Sequence, residues 1–172
     1  LPWLDPNEIT MIGASHGAAL GIRLLTDRYK FHLTEKIKMV YALYPGLHPF
    51  ETDHLTTDGS KLEIHVGELD NWTPAKWCTR LAERTGSKCV VYPGIKHGFS
   101  KPNSTGTWPN NPINHLVDFD DPTPSEEMMN KKGRAQDIYD QAMKEGKCFG
   151  DVDVAWDEAT TNNLKNRIFL HL

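Results

Sequence analysis

Three short segments of this 172-residue chain carry the residue types that together can activate a hydroxyl group for nucleophilic attack. Ser15 stands at the centre of a Gly-x-Ser-x-Gly pentapeptide, and Asp70 and His97 follow it along the chain. A serine hydroxyl is a poor nucleophile at neutral pH and needs a neighbouring base, usually a histidine that a carboxylate orients. The order serine, acid, histidine therefore predicts acyl-transfer chemistry at one shared site.

The serine pentapeptide lies between a short apolar run, Ile9 to Ile12, and a segment rich in Ala and Leu. A strand, a tight turn and a helix with Ser15 at the apex is typical of a nucleophile elbow. Such a turn strains the serine backbone and places its hydroxyl at the start of the helix, where free N–H groups favour a developing negative charge. The backbone N–H of His16 is the candidate oxyanion donor. The pentapeptide alone is a weak signal, because an ordinary Gly/Ser turn can match it by chance.

The candidate acid is Asp70, which follows the apolar run Leu62 to Val66 and precedes a predicted helix. Parallel α/β sheets place their sites at the carboxyl ends of strands, which favours Asp70. Glu68 is the alternative acid but lies closer to the strand. A turn or capping role for Asp70 is less attractive, because Thr73 is the predicted N-cap of the helix.

The candidate base is His97, which lies in a glycine-containing loop just after the next predicted strand, Lys88 to Tyr92. A lone loop histidine is usually a solvated surface residue, but this position after the strand that follows the acid favours a role as the base. Trp72 and Phe99 flank the acid and the base, and we expect them to contact substrate. Aromatic residues near loops are as often part of the packing.

The remaining histidines lack such a placement. His32 and His115 are predicted surface residues, and His65 falls inside a strand. His48 and His54, with Glu51 and Asp53 between them, have a spacing that fits no familiar zinc pattern. No metal or other cofactor is therefore expected.

The elements that must position the three side chains alternate between strand and helix. Strands are predicted around residues 8–12, 37–43, 62–66 and 88–92, and helices around 16–28, 74–85 and 134–144 and at the C-terminal end. This alternation predicts a mostly parallel sheet flanked by helices in one α/β domain, residues 1–172. Residues 101–132 are rich in Pro, Asn, Ser and Thr and are predicted to form a loop-rich insertion.

Composition and charge exclude some classes of binding partner. With 19 basic and 23 acidic residues the net charge is −4, which argues against nucleic acid, and no apolar stretch has the length of a membrane span. The three cysteines are predicted to be small buried apolar residues. The opening Leu1-Pro2-Trp3 has neither an initiator Met nor a signal-peptide pattern, so we expect the sequence to start inside a longer chain or at a processed end. The compartment is undetermined, with the cytoplasm favoured over secretion or the periplasm.

Taken together, residues 13–17, 67–74 and 92–99 resemble the dienelactone hydrolase family of α/β-hydrolases. The resemblance implies that Ser15 is the nucleophile, Asp70 the orienting acid and His97 the general base. Dienelactone hydrolases proper use a cysteine nucleophile, so Ser15 implies carboxylic esters or lactones as the broader substrate class. The family fold also has strands and an oxyanion loop before the elbow. We therefore expect a partial α/β-hydrolase fold that lacks its N-terminal strands and associates through an unpaired sheet edge or with the missing half.

The predicted function is that of a serine hydrolase acting on esters or lactones through an acyl-enzyme. One alternative is a non-catalytic α/β-hydrolase-like fragment or binding module. Another is a peptidase of the prolyl-oligopeptidase type, because amide and ester hydrolysis share this machinery. Nucleotide binding is not favoured, since the glycine turn lacks both the Lys-Ser/Thr of a P-loop and the third glycine of a dinucleotide fingerprint.

Overall fold

The central feature of the fold is a four-stranded parallel sheet. The computed structural model describes residues 5, 8–26, 36–47, 58–113 and 140–170. The strands β1 (Ile9–Ala14), β2 (Ile37–Leu43), β3 (Leu62–Gly67) and β4 (Lys88–Tyr92) follow one another across the sheet in chain order. All three neighbouring pairs are parallel. The carboxyl ends of the four strands therefore share one edge of the sheet, and the predicted mostly parallel sheet is confirmed.

Helices cover both faces of this sheet. They are α1 (His16–Leu24), α2 (Ala75–Thr85) and α3 (Glu158–Phe169), with a 3-10 turn at Gly59–Lys61. Alternate residues of β2 point to opposite faces, so Val40 packs in a core with α1 and α2, whereas Tyr41 packs in a second core with α3. The result is a three-layer arrangement with α1 and α2 on one side and α3 on the other.

Two of these helices differ at their ends from the sequence-based expectation. α1 ends at Leu24 rather than near residue 28, because the next two N–H groups bond to carbonyls three residues back. α2 ends as expected at Thr85 and is followed by Gly86, whose φ of 71° suits glycine. At its other end Pro74 is the N-cap, so Thr73, the predicted N-cap, lies outside the helix.

The predicted loop over residues 101–132 is partly wrong, because it contains a strand. β5 (Thr105–Pro112) pairs in antiparallel fashion with β6 (Phe149–Ala155), and we call this pair the ribbon. Most of β5 is exposed, so its sequence lacks the alternation of buried apolar and exposed polar residues that predicts a strand. Its extended conformation is stabilised by pairing with β6. Of the helix predicted over 134–144, the structure describes residues 140–144 as helical.

A buried polar cluster lies between β3 and α3. His65 Nδ1 is 2.9 Å from the Tyr92 hydroxyl, and Arg167 forms an ion pair with Glu63. His65 Nε2 lies 3.2 Å from Glu63 Oε1 but without hydrogen-bond geometry. Burial lowers the pKa of His65 to about 4, and the Glu63 carboxylate offsets only part of that effect. His65 is therefore neutral near pH 7.

All three cysteines are free, and two of them, Cys78 and Cys148, are buried. Burial raises the pKa of the partly buried Cys89 to about 11, so this thiol stays protonated near neutral pH. Each helix in the described ranges is too short or too polar to cross a bilayer.

Candidate active site

Ser15 occupies the turn between β1 and α1 with a strained backbone. Its φ of 51° and ψ of −116° lie outside the regions that side-chain-bearing residues normally adopt. Two hydrogen bonds hold this conformation: the Ser15 N–H donates to the Leu43 carbonyl at 2.9 Å, and the Ser15 carbonyl accepts from Gly46 N–H at 3.1 Å. The elbow is thus bound to the end of β2 and to the loop that follows it.

The two glycines of the pentapeptide have different surroundings. A Cβ atom built on Gly13 would lie 2.5 Å from the carbonyl oxygen of Gly17 and 2.8 Å from the nitrogen of Ala18. These are backbone atoms, so they cannot move aside as a flexible side chain could. A Cβ atom on Gly17 would meet nothing within 4 Å outside its own helix. Only Gly13 is therefore required for the close approach of β1 and α1.

His16 is the first residue of α1, and its side chain is exposed. The first N–H groups of a helix have no acceptor within the helix, so the His16 N–H is free of an intrahelical bond. The Ser15 side chain forms no capping hydrogen bond with α1 in the described residues. The hydroxyl is therefore not engaged with the helix that it precedes.

Asp70 follows β3, and its carboxylate accepts four hydrogen bonds. Oδ1 accepts from the N–H groups of Trp72 at 2.9 Å and Thr73 at 2.7 Å. Oδ2 accepts from the Thr73 hydroxyl at 2.8 Å and lies 2.8 Å from Nδ1 of His97. Asp70 is 4% exposed, so these partners replace water at both oxygens. The carboxylate is fixed in place and directed at the imidazole.

His97 is buried in the loop after β4, and the structure brings it together with Asp70. The carboxylate at Nδ1 assigns the ring proton to that nitrogen, which leaves Nε2 as the acceptor that a general base requires. The ring of Tyr44 packs edge-on against the imidazole at 4.7 Å between centroids, and the ring of Trp72 lies at 4.9 Å. These contacts hold the plane of the imidazole.

The acid loop and the histidine loop can approach each other closely because Gly67, at the end of β3, has no side chain. A Cβ atom on Gly67 would lie 2.2 Å from the carbonyl oxygen of Ile95, and the Leu69 N–H donates to that same carbonyl at 2.9 Å. Glu68, the alternative acid, is exposed, and its Oε2 accepts from Gly94 N–H at 2.8 Å. The Glu68 carboxylate thus binds the backbone of the turn after β4 rather than His97.

The loop after β2 connects Ser15 to this pair. Leu43, the last residue of β2, and Gly46 in the loop bind the Ser15 backbone, and Tyr44 between them contacts the His97 ring. Within the described residues, the His97 ring bonds to Asp70 and Thr73, and no hydrogen bond joins it to the Ser15 hydroxyl. In active sites without substrate such bonds are often long and tighten when substrate binds.

Tyr44 has an unusual environment for a bulky residue. Its φ is 36°, and its N–H donates to the His65 carbonyl at 2.6 Å. Its hydroxyl lies 2.7 Å from Ser100 Oγ. Burial raises the pKa of Tyr44, and the Ser100 hydrogen bond only partly opposes this, so the phenol is neutral at pH 7. Sequence reasoning gave Tyr44 no role, although it lies between the serine and histidine loops.

The ribbon is the second feature that sequence reasoning missed, and it holds both loops. The Ala155 N–H donates to the His97 carbonyl at 3.0 Å, and Lys96 pairs with Asp153 at 3.0 Å. On the acid side, the Asn71 amide donates to the Asp151 carbonyl at 3.2 Å and accepts from the Asp153 N–H at 3.0 Å. The ribbon therefore fastens the acid loop and the histidine loop to one support.

The predicted substrate contacts Trp72 and Phe99 have different positions. Trp72 is half-buried, donates from Nε1 to the Pro112 carbonyl at 3.0 Å and packs edge-on against Trp108 at 5.8 Å. Trp108 is 39% exposed, with Lys101 Nζ 5.5 Å from its ring centroid. Phe99 is fully buried against Tyr44 at 5.1 Å, so the structure places it in the core beneath the site.

The possible metal cluster of His48, Glu51, Asp53 and His54 lies outside the described residues, as do His32 and His115. In the ranges that the structure does describe, no group of three or more His, Cys, Asp or Glu side chains could hold a metal ion.

The elbow follows β1, and the acid and the histidine follow β3 and β4. This arrangement is that of a partial α/β-hydrolase fold, as predicted. No family model matches the chain, and no curated protein matches it.

The chain is similar to dienelactone hydrolase-like structures. One is described as a dienelactone hydrolase from Klebsiella pneumoniae, with 13% identity, a TM-score of 0.38, and coverage of 80% of this chain and 50% of that one. Another is a dienelactone hydrolase-like promiscuous phosphotriesterase from metagenomic libraries, with 15% identity, a TM-score of 0.40, and coverage of 87% and 56%. A thermophilic esterase from Thermogutta terrifontis has 20% identity, a TM-score of 0.41, and coverage of 56% and 48%. The chain thus spans about half the length of the solved structures that it matches.

Proposed function

We propose that this protein is a serine hydrolase that cleaves carboxylic esters or lactones through an acyl-enzyme. Ser15 is the nucleophile, His97 the general base and Asp70 the acid that orients it. The observation that carries the proposal is the buried pair of Asp70 and His97, 2.8 Å apart, beside the loop that binds the strained Ser15 backbone. The buried carboxylate is positioned to stabilise the imidazolium ion that forms during the reaction.

The reaction proceeds in two halves. The Ser15 oxygen attacks the carbonyl carbon while Nε2 of His97 takes the hydroxyl proton, and the His16 N–H donates to the resulting oxyanion. The imidazolium then gives its proton to the departing alkoxide, which leaves the acyl group on Ser15. Water next attacks the acyl-enzyme with His97 again as base, releasing the carboxylic acid and restoring the serine.

The aromatic residues beside His97 favour substrates with an apolar group next to the scissile bond. Trp72 is in contact with the imidazole, and Trp108, which packs against Trp72, presents exposed ring surface. Apolar walls with a few fixed polar groups are typical of small-molecule sites. On this proposal, Trp108→Ala raises KM and leaves kcat nearly unchanged.

A second candidate function is a non-catalytic α/β-hydrolase-like binding module. It is favoured by one observation: no hydrogen bond joins the Ser15 hydroxyl and His97 in the described residues. Covalent labelling separates the two candidates, because only an activated serine reacts with an electrophilic phosphonate.

The test is labelling with a fluorophosphonate probe, with the modified residue located by peptide mass spectrometry. We expect the wild type to label at Ser15, Ser15→Ala to be unlabelled, and Asp70→Asn to react at least about 10²-fold more slowly because the imidazole loses its orienting charge. Glu68→Gln is the matched control and should label like the wild type. A folded wild type that does not label would favour the binding module, whereas a Ser15→Ala variant that labels equally would show that Ser15 is not the nucleophile. Parallel assays with a p-nitrophenyl ester and a p-nitroanilide separate esterase from peptidase activity.

A further inference from the structure

Thr73 stands at the junction of the three parts of the candidate site. It is buried and lies just before Pro74, the N-cap of α2. Its hydroxyl oxygen is 2.8 Å from Asp70 Oδ2, 3.2 Å from His97 Nδ1 and 3.3 Å from the Tyr44 carbonyl oxygen. The hydroxyl therefore reaches the acid, the base and the loop that binds Ser15.

We propose that Thr73 is a positioning residue of the active site, whose hydroxyl holds His97 in register with both Asp70 and the serine loop. This inference rests on the proposed hydrolase function. Asp70 Oδ2 and the Tyr44 carbonyl are acceptors only, so the single Thr73 proton goes to the nearer of them, Asp70 Oδ2 at 2.8 Å. The Thr73 oxygen is then free to accept from the Nδ1–H of His97, whose main acceptor is Asp70.

The second acceptor at Nδ1 restricts how the imidazole can rotate. The rings of Tyr44 and Trp72 hold the plane of the imidazole, but with Asp70 as the only partner of Nδ1 the ring could still turn within that plane. With the threonine oxygen 3.2 Å away on the same nitrogen, the N–H is held between two oxygens, and Nε2 on the opposite side of the ring keeps one direction. A fixed direction matters, because a displacement of about 1 Å in a catalytic group can cost about 10²-fold in rate.

The contact with the Tyr44 carbonyl extends this control to the nucleophile. Leu43, one residue before Tyr44, accepts the hydrogen bond from the Ser15 N–H, and Gly46 donates to the Ser15 carbonyl. With its proton on Asp70, Thr73 contacts the segment that supports the elbow through the 3.3 Å approach of its oxygen to the Tyr44 carbonyl. Its hydroxyl is a short polar connection between the two halves of the proposed reaction centre.

Thr73 does not cap α2, although a residue before proline takes the extended backbone that an N-cap also has. Its N–H donates instead to Asp70 Oδ1 at 2.7 Å, and the side chain folds back on the same carboxylate.

The test compares Thr73→Val, which removes the hydroxyl and keeps the shape, with Thr73→Ser, which keeps the hydroxyl. Thr85→Val is the matched control, because Thr85 lies at the other end of α2 and its hydroxyl donates to the Leu81 carbonyl. Each variant is measured for kcat and KM with an ester, for its rate of fluorophosphonate labelling, and for the proton NMR signal of His97 Nδ1–H. Circular dichroism confirms folding.

We expect Thr73→Val to lower kcat and the labelling rate by about 10- to 100-fold with KM nearly unchanged, and to shift the Nδ1–H signal. Thr73→Ser should recover most of the rate, and Thr85→Val should behave as the wild type. The inference is overturned if Thr73→Val is as fast as an active wild type, or if Thr73→Ser is as slow as Thr73→Val. If the wild type itself is inactive, the proposed function fails, and an Nδ1–H signal unchanged in Thr73→Val overturns the positioning role independently.

Discussion

Gly13 and Gly17 hold symmetric places in the pentapeptide but unequal places in the structure. Gly13→Ala forces a Cβ atom onto the backbone of α1, so we expect a loss of about 1–3 kcal/mol in the free energy of unfolding. Gly17→Ala introduces a methyl group into open space within a helix and should stabilise the protein by about 0.5–1 kcal/mol. Urea denaturation of the two variants measures both changes. Equal destabilisation by both would contradict the packing at the elbow.

His65 makes the stability of the fold depend on pH. Burial lowers its pKa to about 4, below the value of about 6.5 expected in the unfolded chain. The unfolded state therefore binds the proton more readily, so the contribution is complete above pH 6.5 and is lost as the pH falls towards 4. A shift of this size corresponds to about 3 kcal/mol at most.

We expect His65→Asn to flatten this pH dependence, because asparagine does not titrate. Urea denaturation of both proteins at intervals between pH 4 and 6.5 measures the difference in slope. Parallel slopes for the two proteins would show that another group carries the pH dependence.

At the scale of elements, the ribbon is the support on which both site loops rest. Asn71→Ala removes two hydrogen bonds that join the acid loop to β6. We expect a loss of about 1–2 kcal/mol in stability, and faster amide hydrogen exchange at residues 149–155 and in the His97 loop. Asn163→Ala, on the exposed side of α3, is the control. Unchanged exchange in the His97 loop would mean that the ribbon does not hold it.

The strands of the central sheet could be predicted from sequence, whereas the ribbon was missed. β2 and β4 have the predicted bounds, because each is an apolar run that ends at a turn. β5 contains Pro109 and lies largely exposed, so its residues give no strand pattern. β6 did carry a signal: Val152 and Val154 are buried, and the residues beside them are more exposed. Because the sequence of β5 did not predict a strand, β6 had no predicted partner, and the alternation of its valines was not recognised.

In the candidate site, too, features set by local sequence could be predicted, whereas contacts between residues distant in sequence could not. Asp70 and His97 could be expected to meet, because both follow neighbouring parallel strands. Thr73 was predicted as an N-cap from the local Thr-Pro pattern. Its actual partners include His97 and Tyr44, which are distant in sequence, and no local rule indicates them.

At the scale of the whole molecule, β1, one of the two outer strands of the described sheet, is a candidate surface for association. In the described residues β1 pairs only with β2, and Ile12 on this strand is 55% exposed. Unpaired, apolar edge strands favour pairing with another chain. We propose that the 172-residue chain self-associates through β1.

Light scattering coupled to size-exclusion chromatography tests this proposal. Ile12→Lys places a charge on the edge strand and should shift the protein towards the monomer. Phe169→Lys, which changes a 70% exposed apolar residue on α3, should leave the oligomer distribution as it is. A monomeric wild type, or an equal effect of both substitutions, would rule out self-association through β1.

The hydrogen bond from Ala155 to the His97 carbonyl also has a consequence for biosynthesis. A chain grows from its N-terminus, so Ser15, Asp70 and His97 all leave the ribosome before Phe149–Ala155. A nascent polypeptide that stops short of this strand would contain every reacting group of the proposed hydrolase but not the anchor of its histidine. Catalytic competence would then arise only after Phe149–Ala155 has been made and has paired with the histidine loop.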